Sequence, residues 1–213
     1  AHLSRILTVT ISRFFRDGTV FDTLEHSIIP SLLKEEGKRE LRICSIGCAS
    51  GEEPYSLAIL WKERFEKIWP QIHLSILATD IDERLLERAK KRRYKKSSLK
   101  EISEDIIRHY FKMESGFYIL GQAVRKCIEF KRHDIIHEEP FSGMDMVFCR
   151  NLAFTYFSKE SQINVLKKIA NSLQEKGYLV IGKDEFLPLT YPTLFVPFFP
   201  LEKIYKKFRF LQS

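Results

Sequence analysis

Two rhythms of apolar residues alternate along the chain: short unbroken runs, and longer stretches in which apolar positions recur at helical spacing. LRICSIG (41–47) is a run of the first kind and predicts a buried strand. EPYSLAILWKERFEKIW then predicts an amphipathic helix starting near Pro54, since proline in a first helical turn wastes no hydrogen bond. The alternation repeats with a strand at HLSILATD (73–80), a helix at DERLLERAKKR, and a strand at CIEFKRHD (127–134). A strand at MDMVFCRN (144–151) precedes the helix SKESQINVLKKIANSLQEK, with Gly177 as its stop signal, and YLVIGKD (178–184) follows as a strand. FVPFF and KIYKKFRF are expected to pair antiparallel at the sheet edge. The pattern predicts an α/β, Rossmann-like fold: a mostly parallel sheet of seven strands with helices on both faces and an antiparallel C-terminal edge. Ligands of such sheets bind beyond the carboxyl ends of the strands.

Residues 1–40 differ: FFRDGTVFDTLEHSIIPSLLKEE reads as a short helical lead-in, and residues 41–213 as the main domain. Residues 103–126 begin helical and end as a hairpin-like stretch around Gly116 and Gly121.

With 213 residues, 44% hydrophobic and 30% charged, the chain can bury a substantial single core. It has no apolar run near the roughly 20 residues of a membrane helix. Its first residues, Ala1-His2-Leu3-Ser4-Arg5, lack a secretory pattern, so a cytoplasmic location is expected. The four cysteines form no Cys-x-x-Cys pair, which fits buried thiols in a reducing compartment and no metal site. The net charge of +7 is concentrated in RAKKRRYKKSSLK (88–100), either a solvated helix end or a docking surface for an acidic partner. No nucleic-acid-binding motif accompanies it.

The candidate chemistry lies in CSIGCASGEEPYS (44–56), which puts Gly47 and Gly51 at the end of the first strand and Glu52 and Glu53 at the mouth of the next helix. Glycines there permit a tight turn and close approach of a ligand, but the spacing is not the dinucleotide fingerprint. Asp80 ends the second strand, where an acid commonly accepts ribose hydroxyls. A structural turn and an N-cap are the simpler readings of these residues. Taken together they suggest a nucleoside without a pyrophosphate, and S-adenosyl-L-methionine, with its ammonium and sulfonium, fits acidic surroundings.

GCASGEEPYSLAI, ILATDID, FCRN, TISRFFRD and the Asp134 strand resemble blocks of the CheR-type chemotaxis methyltransferases, in the same order, from about residue 8 to residue 185. The resemblance implies an S-adenosyl-L-methionine-dependent enzyme that methylates protein glutamate side chains and releases S-adenosyl-L-homocysteine. It implies that Thr10, Ser12, Arg16, Gly47, Gly51, Glu53, Asp80, Asp134, Ile135, Arg150 and Asn151 surround the cofactor. Within that set Glu53 contacts the methionine part, Asp80 the ribose, Asp134 and Ile135 the adenine, and Arg150 and Asn151 the sulfonium end. Arg16 matches an arginine near the reacting methyl, and Tyr156 a tyrosine beside it. An acidic protein such as a chemoreceptor helix is the implied partner. The sequence departs from the family in an almost absent N-terminal helical domain and a shortened hairpin around residues 113–126. It also has one extra residue in CRNLAFTYF, on which the matching of Tyr156 depends. The rival expectations are the same chemistry on another acceptor, and a cofactor-binding sensor without catalysis. A nucleic-acid methyltransferase ranks lower, because Cys149-Arg150-Asn151-Leu152 stands where a base-methylating motif would.

Overall fold

The computed structural model describes residues 12–188 and 194–208. The lead-in forms α1 (Gly18–Thr23), a π turn (Leu24–Ile28) and α2 (Ile29–Leu33). Pro30 accounts for the π turn. It has no N–H to donate and its ring crowds the preceding turn, so the helix widens just before it and Ile29 N–H bonds the Leu24 carbonyl. Val20, Phe21, Leu24, Ile28 and Leu32 bury the inner face of this segment.

The main domain continues with β1 (Glu40–Ile46), α3 (Glu52–Arg64), β2 (His73–Asp80), α4 (Glu83–Lys91) and β3 (Arg93–Tyr94). A 3-10 turn (Lys96–Leu99), α5 (Glu104–Tyr110), β4 (Phe111–Glu114), β5 (Phe117–Leu120), α6 (Gln122–Arg125) and β6 (Ile128–Arg132) come next. The chain ends with β7 (Met144–Cys149), α7 (Ala153–Tyr156), α8 (Lys159–Ser172), β8 (Leu173–Ile181), β9 (Phe195–Phe199) and β10 (Ile204–Lys207).

The large sheet runs β6-β2-β1-β7-β8-β10-β9, with β10 antiparallel to both neighbours and the first five strands mutually parallel. This is the Rossmann-like, mostly parallel seven-stranded sheet with an antiparallel edge that the alternating pattern predicted. Successive strands proceed outward from β1 through β2 to β6, then return to β7 on the other side of β1. The crevice for a ligand therefore opens at the carboxyl ends of β1 and β7. One hydrophobic core joins Leu41, Ile43, Ile76 and Phe148 to α3 and the lead-in; a second joins Cys44, Val147, Cys149 and Leu179 to α8.

Three local expectations change. The helix expected to reach Lys176 ends at Ser172, because Leu173 turns extended and pairs with Met144, so tertiary pairing overrides the helical propensity of Gln174–Lys176. Gly177 stops no helix; a Cβ there would come within 3.1 Å of the Asp145 carbonyl oxygen and 2.8 Å of Leu173 Cδ2. The hairpin turns at Ser115–Gly116 and gains a third strand, β3, from inside the basic run, whereas Gly121 precedes α6.

Candidate functional site

Gly47 and Gly51 both have left-handed backbone, at φ 72° and 88°. A Cβ on Gly47 would lie 2.7 Å from Leu152 Cδ2, and one on Gly51 2.9 Å from the Ala89 Cβ. Both glycines are thus required by the protein's own packing as well as by the turn. The loop spends four of its five amides, from Gly47 to Gly51, internally. Gly47 and Cys48 N–H donate to the Thr79 carbonyl at 2.8 and 2.9 Å, Ala49 N–H to Asp80 Oδ2 at 2.9 Å, and Gly51 N–H to the Cys48 carbonyl at 2.9 Å. A phosphate-binding loop instead points such amides at its ligand.

The two glutamates that follow part company. Glu52 is buried beneath the lead-in, where the Ser12 and Ser98 hydroxyls reach its carboxylate, and burial pushes its pKa up. Glu53 faces the carboxyl end of the sheet. Its Oε1 accepts from Ser45 Oγ at 2.7 Å, and its Oε2 lies 3.3 Å from Arg150 Nη1. Arg150, at the end of β7, also donates through Nη2 to Asp17 and, at 3.1 Å, to the Arg16 carbonyl. One guanidinium thereby ties the lead-in to the glycine loop, yet its buried Nε has no partner among the described residues.

Asp80 accepts one backbone N–H on each oxygen, from Ala49 and from Asp82, each at 2.9 Å. Burial is the largest influence on this carboxyl and raises its pKa despite those bonds. Asp134 closes a turn of its own chain through Ile136 N–H and His137 Nδ1. Burial alone would raise its pKa, but His137 and the two amides outweigh it and lower it. Ile135 is buried with Met144 and Val147 in the second core.

The structure brings Glu53, Arg150, Gly47, Gly51 and Asp80 together around one loop, and attaches Arg16 to it through its backbone. Arg16 is half-buried, and its guanidinium makes no ion pair among the described residues. Ser12 is occupied with Glu52, and Thr10 lies outside the described residues. Tyr156 ends α7 with 53% of its surface exposed, so it is no core aromatic. Phe15, Asp17, Ala49 and Asn151, four of the seven described non-glycine residues with left-handed backbone, lie in these loops. Such strain persists only where surrounding structure enforces it.

Sequence reading missed Asp17 and Glu185. Asp17 pairs with Arg150 across 133 positions, a contact that no local spacing announces. Glu185 lies just past the expected fifth strand, a place as acidic as the Asp80 position and open to the same reading.

The donor set suits a cation-bearing nucleoside. The loop offers carboxylates in place of free amides, and the unpartnered Arg150 Nε is suited to a single ligand carboxylate. S-adenosylmethionine has that combination of groups.

Comparison with known proteins agrees. Residues 10–198 match the family described as CheR methyltransferase, SAM binding domain. A chemotaxis protein methyltransferase of Listeria innocua is 37% identical over 84% of this chain and 66% of its own length. Chemotaxis protein methyltransferase 1 of Pseudomonas aeruginosa is 34% identical over 85% of this chain and 68% of its own. A putative methyltransferase, Cher3, of Pseudomonas putida is 30% identical over 96% of this chain and 76% of its own. The chain thus spans about two thirds of the length of the first two relatives.

Proposed function

The chain belongs to the CheR methyltransferase family, and from that premise we propose that it methylates a protein glutamate side chain, using S-adenosylmethionine. The observation that carries this reading is the glycine loop, four of whose five amides are spent internally and whose flanking groups are Glu53, Arg150 and Asp80.

Glu53 would hold the cofactor's ammonium, Arg150 its carboxylate, and Asp80 the ribose hydroxyls. Gly47, Gly51, Asn151, Asp134, Ile135, Thr10 and Ser12 complete the proposed surroundings. When bound, the cofactor supplies a methyl group on a sulfonium. A glutamate carboxylate, with an ordinary pKa of about 4.3, is already ionised at neutral pH and needs no general base. The protein's task is then alignment, which can contribute roughly 7–11 kcal/mol. Arg16, free of ion pairs among the described residues, would hold the incoming carboxylate. Tyr156, exposed at the end of α7, would line its approach.

The acceptor is read as a glutamate on an acidic protein, a chemoreceptor-type helix being what the relatives' names point to. Arg88, Lys91, Arg93, Lys95, Lys96 and Lys100 are exposed around the end of α4 and complement such a partner. No helix among the described residues is long and apolar enough to cross a membrane. A cytoplasmic reaction is part of the proposal and rests on the chemoreceptor-type acceptor that the relatives' names point to.

Incubation with methyl-labelled S-adenosylmethionine and a native cell extract, followed by mild base, tests the proposal. Label released as volatile methanol is the expected result, since only a carboxyl methyl ester behaves so. Base-stable label on protein would overturn the carboxylate reading.

A further inference from the structure

Glu185 is 3% exposed and stands just past the end of β8. Its carboxylate is fully engaged. Oε2 accepts the N–H groups of Asn151 at 2.8 Å and Gly182 at 2.6 Å; Oε1 accepts Leu152 N–H at 3.2 Å and the Thr155 hydroxyl at 2.7 Å. Two of these four donors belong to the turn that carries the chain from β7 into α7, and Thr155 belongs to α7 itself. The segment from that turn through α7 holds Arg150 and Asn151 at one end and Tyr156 at the other. Asn151 is left-handed at φ 55°, a conformation that needs enforcement from outside the turn. Gly182 completes the enclosure: a Cβ there would lie 2.7 Å from Asn151 Nδ2. The end of β8 therefore supplies both the acceptor that fixes the Asn151 backbone and the space that its carboxamide occupies.

We propose that Glu185 is a positioning residue for the cofactor site, acting through Asn151. This rests on the reading above that Asn151 borders the cofactor. Glu185 itself need not touch any ligand, because all four of its contacts are to the protein. A neutral isostere cannot substitute. A glutamine turns its NH2 group either against the Asn151 and Gly182 N–H groups or against the Leu152 N–H, and only the Thr155 hydroxyl can reverse to accept from it, so at least one backbone donor is left opposed in either orientation.

The test is calorimetric titration of S-adenosylhomocysteine into the whole chain and its variants, with circular dichroism as the check on folding. Glu185→Gln is expected to weaken binding at least about tenfold, the scale seen when outer-shell partners are removed. In an Asn151→Ala background the same change should cost less than about threefold, because its route to the ligand is already gone. Gly182→Ala keeps the charge of the carboxylate but places a Cβ 2.7 Å from Asn151 Nδ2 and 2.8 Å from Glu185 Oε2, so it forces the two partners apart by contact. It should weaken binding in the same way, and it carries the test if Glu185→Gln does not fold. Losses that add in the double variant, or binding unchanged in folded Glu185→Gln or Gly182→Ala, would overturn the positioning role. Failure of the unmodified protein to bind S-adenosylhomocysteine would instead overturn the cofactor reading.

Discussion

The sheet carries a buried ion pair at each end of β1 and β7, and the two differ in what they leave over. At the amino ends, Asp145 takes Lys38 on one oxygen and the Arg42 N–H on the other, at 2.8 Å. Neither Lys38 nor Asp145 has a buried side-chain atom without a partner. At the carboxyl ends, Arg150 is shared between Glu53 and Asp17, and its buried Nε has no partner among the described residues. The first pair is closed on itself and can only hold the fold. The second is shaped for one more acceptor. Burial and charge alone would not distinguish them; the accounting of donors does.

The comparison can be broken at either end. Asp145→Ala should have the largest effect on the fold, leaving Lys38 buried without its partner at a cost of about 3–5 kcal/mol in urea unfolding. Its affinity for S-adenosylhomocysteine should stay within about threefold of the parent, because the site is a strand-length away. A comparable loss of binding would mean that the two ends are not independent.

Arg16→Ala sharpens the other side. It should lower label transfer to protein about a hundredfold while cofactor binding falls less than threefold, as expected of a group that serves only the acceptor. Equal losses in both would place Arg16 in the cofactor site itself.

The smallest effect concerns the adjacent pair Glu52 and Glu53. Burial raises the Glu52 pKa, so the folded state binds a proton more tightly there than the unfolded state does. This carboxyl's contribution to stability is greatest below its unfolded pKa and declines as pH rises through the folded one. Glu52→Gln should therefore raise the thermal midpoint by a few degrees at pH 7, and the gain should vanish below the ordinary glutamate range. A destabilised Glu52→Gln variant at neutral pH would show that the buried charge is needed, as Glu53 is proposed to be.

Much of the architecture was legible because central parallel strands are apolar on both faces. HLSILATD matches β2 residue for residue, and LRICSIG falls one residue from β1. The start of β8 was not legible: Gln174, Glu175 and Lys176 favour helix locally, and only pairing with β7 draws Leu173 into the sheet. β3 was hidden for a similar reason, two residues within a basic run that antiparallel pairing with β5 makes into a strand. In the site, Glu53 and Asp80 could be read from their places after glycines and at a strand end. Asp17 and Glu185 could not be assigned partners, since their contacts with Arg150 and Asn151 exist only once distant strands are side by side.

The most direct test is titration of S-adenosylhomocysteine into the protein and its Arg150→Ala variant by calorimetry. If the carboxyl-end network is the cofactor site, the parent binds at a single site and the folded variant binds at least about a hundredfold more weakly, or 2.7 kcal/mol. Equal binding by the two would contradict this account and make the Arg150 network a structural tie like Lys38–Asp145.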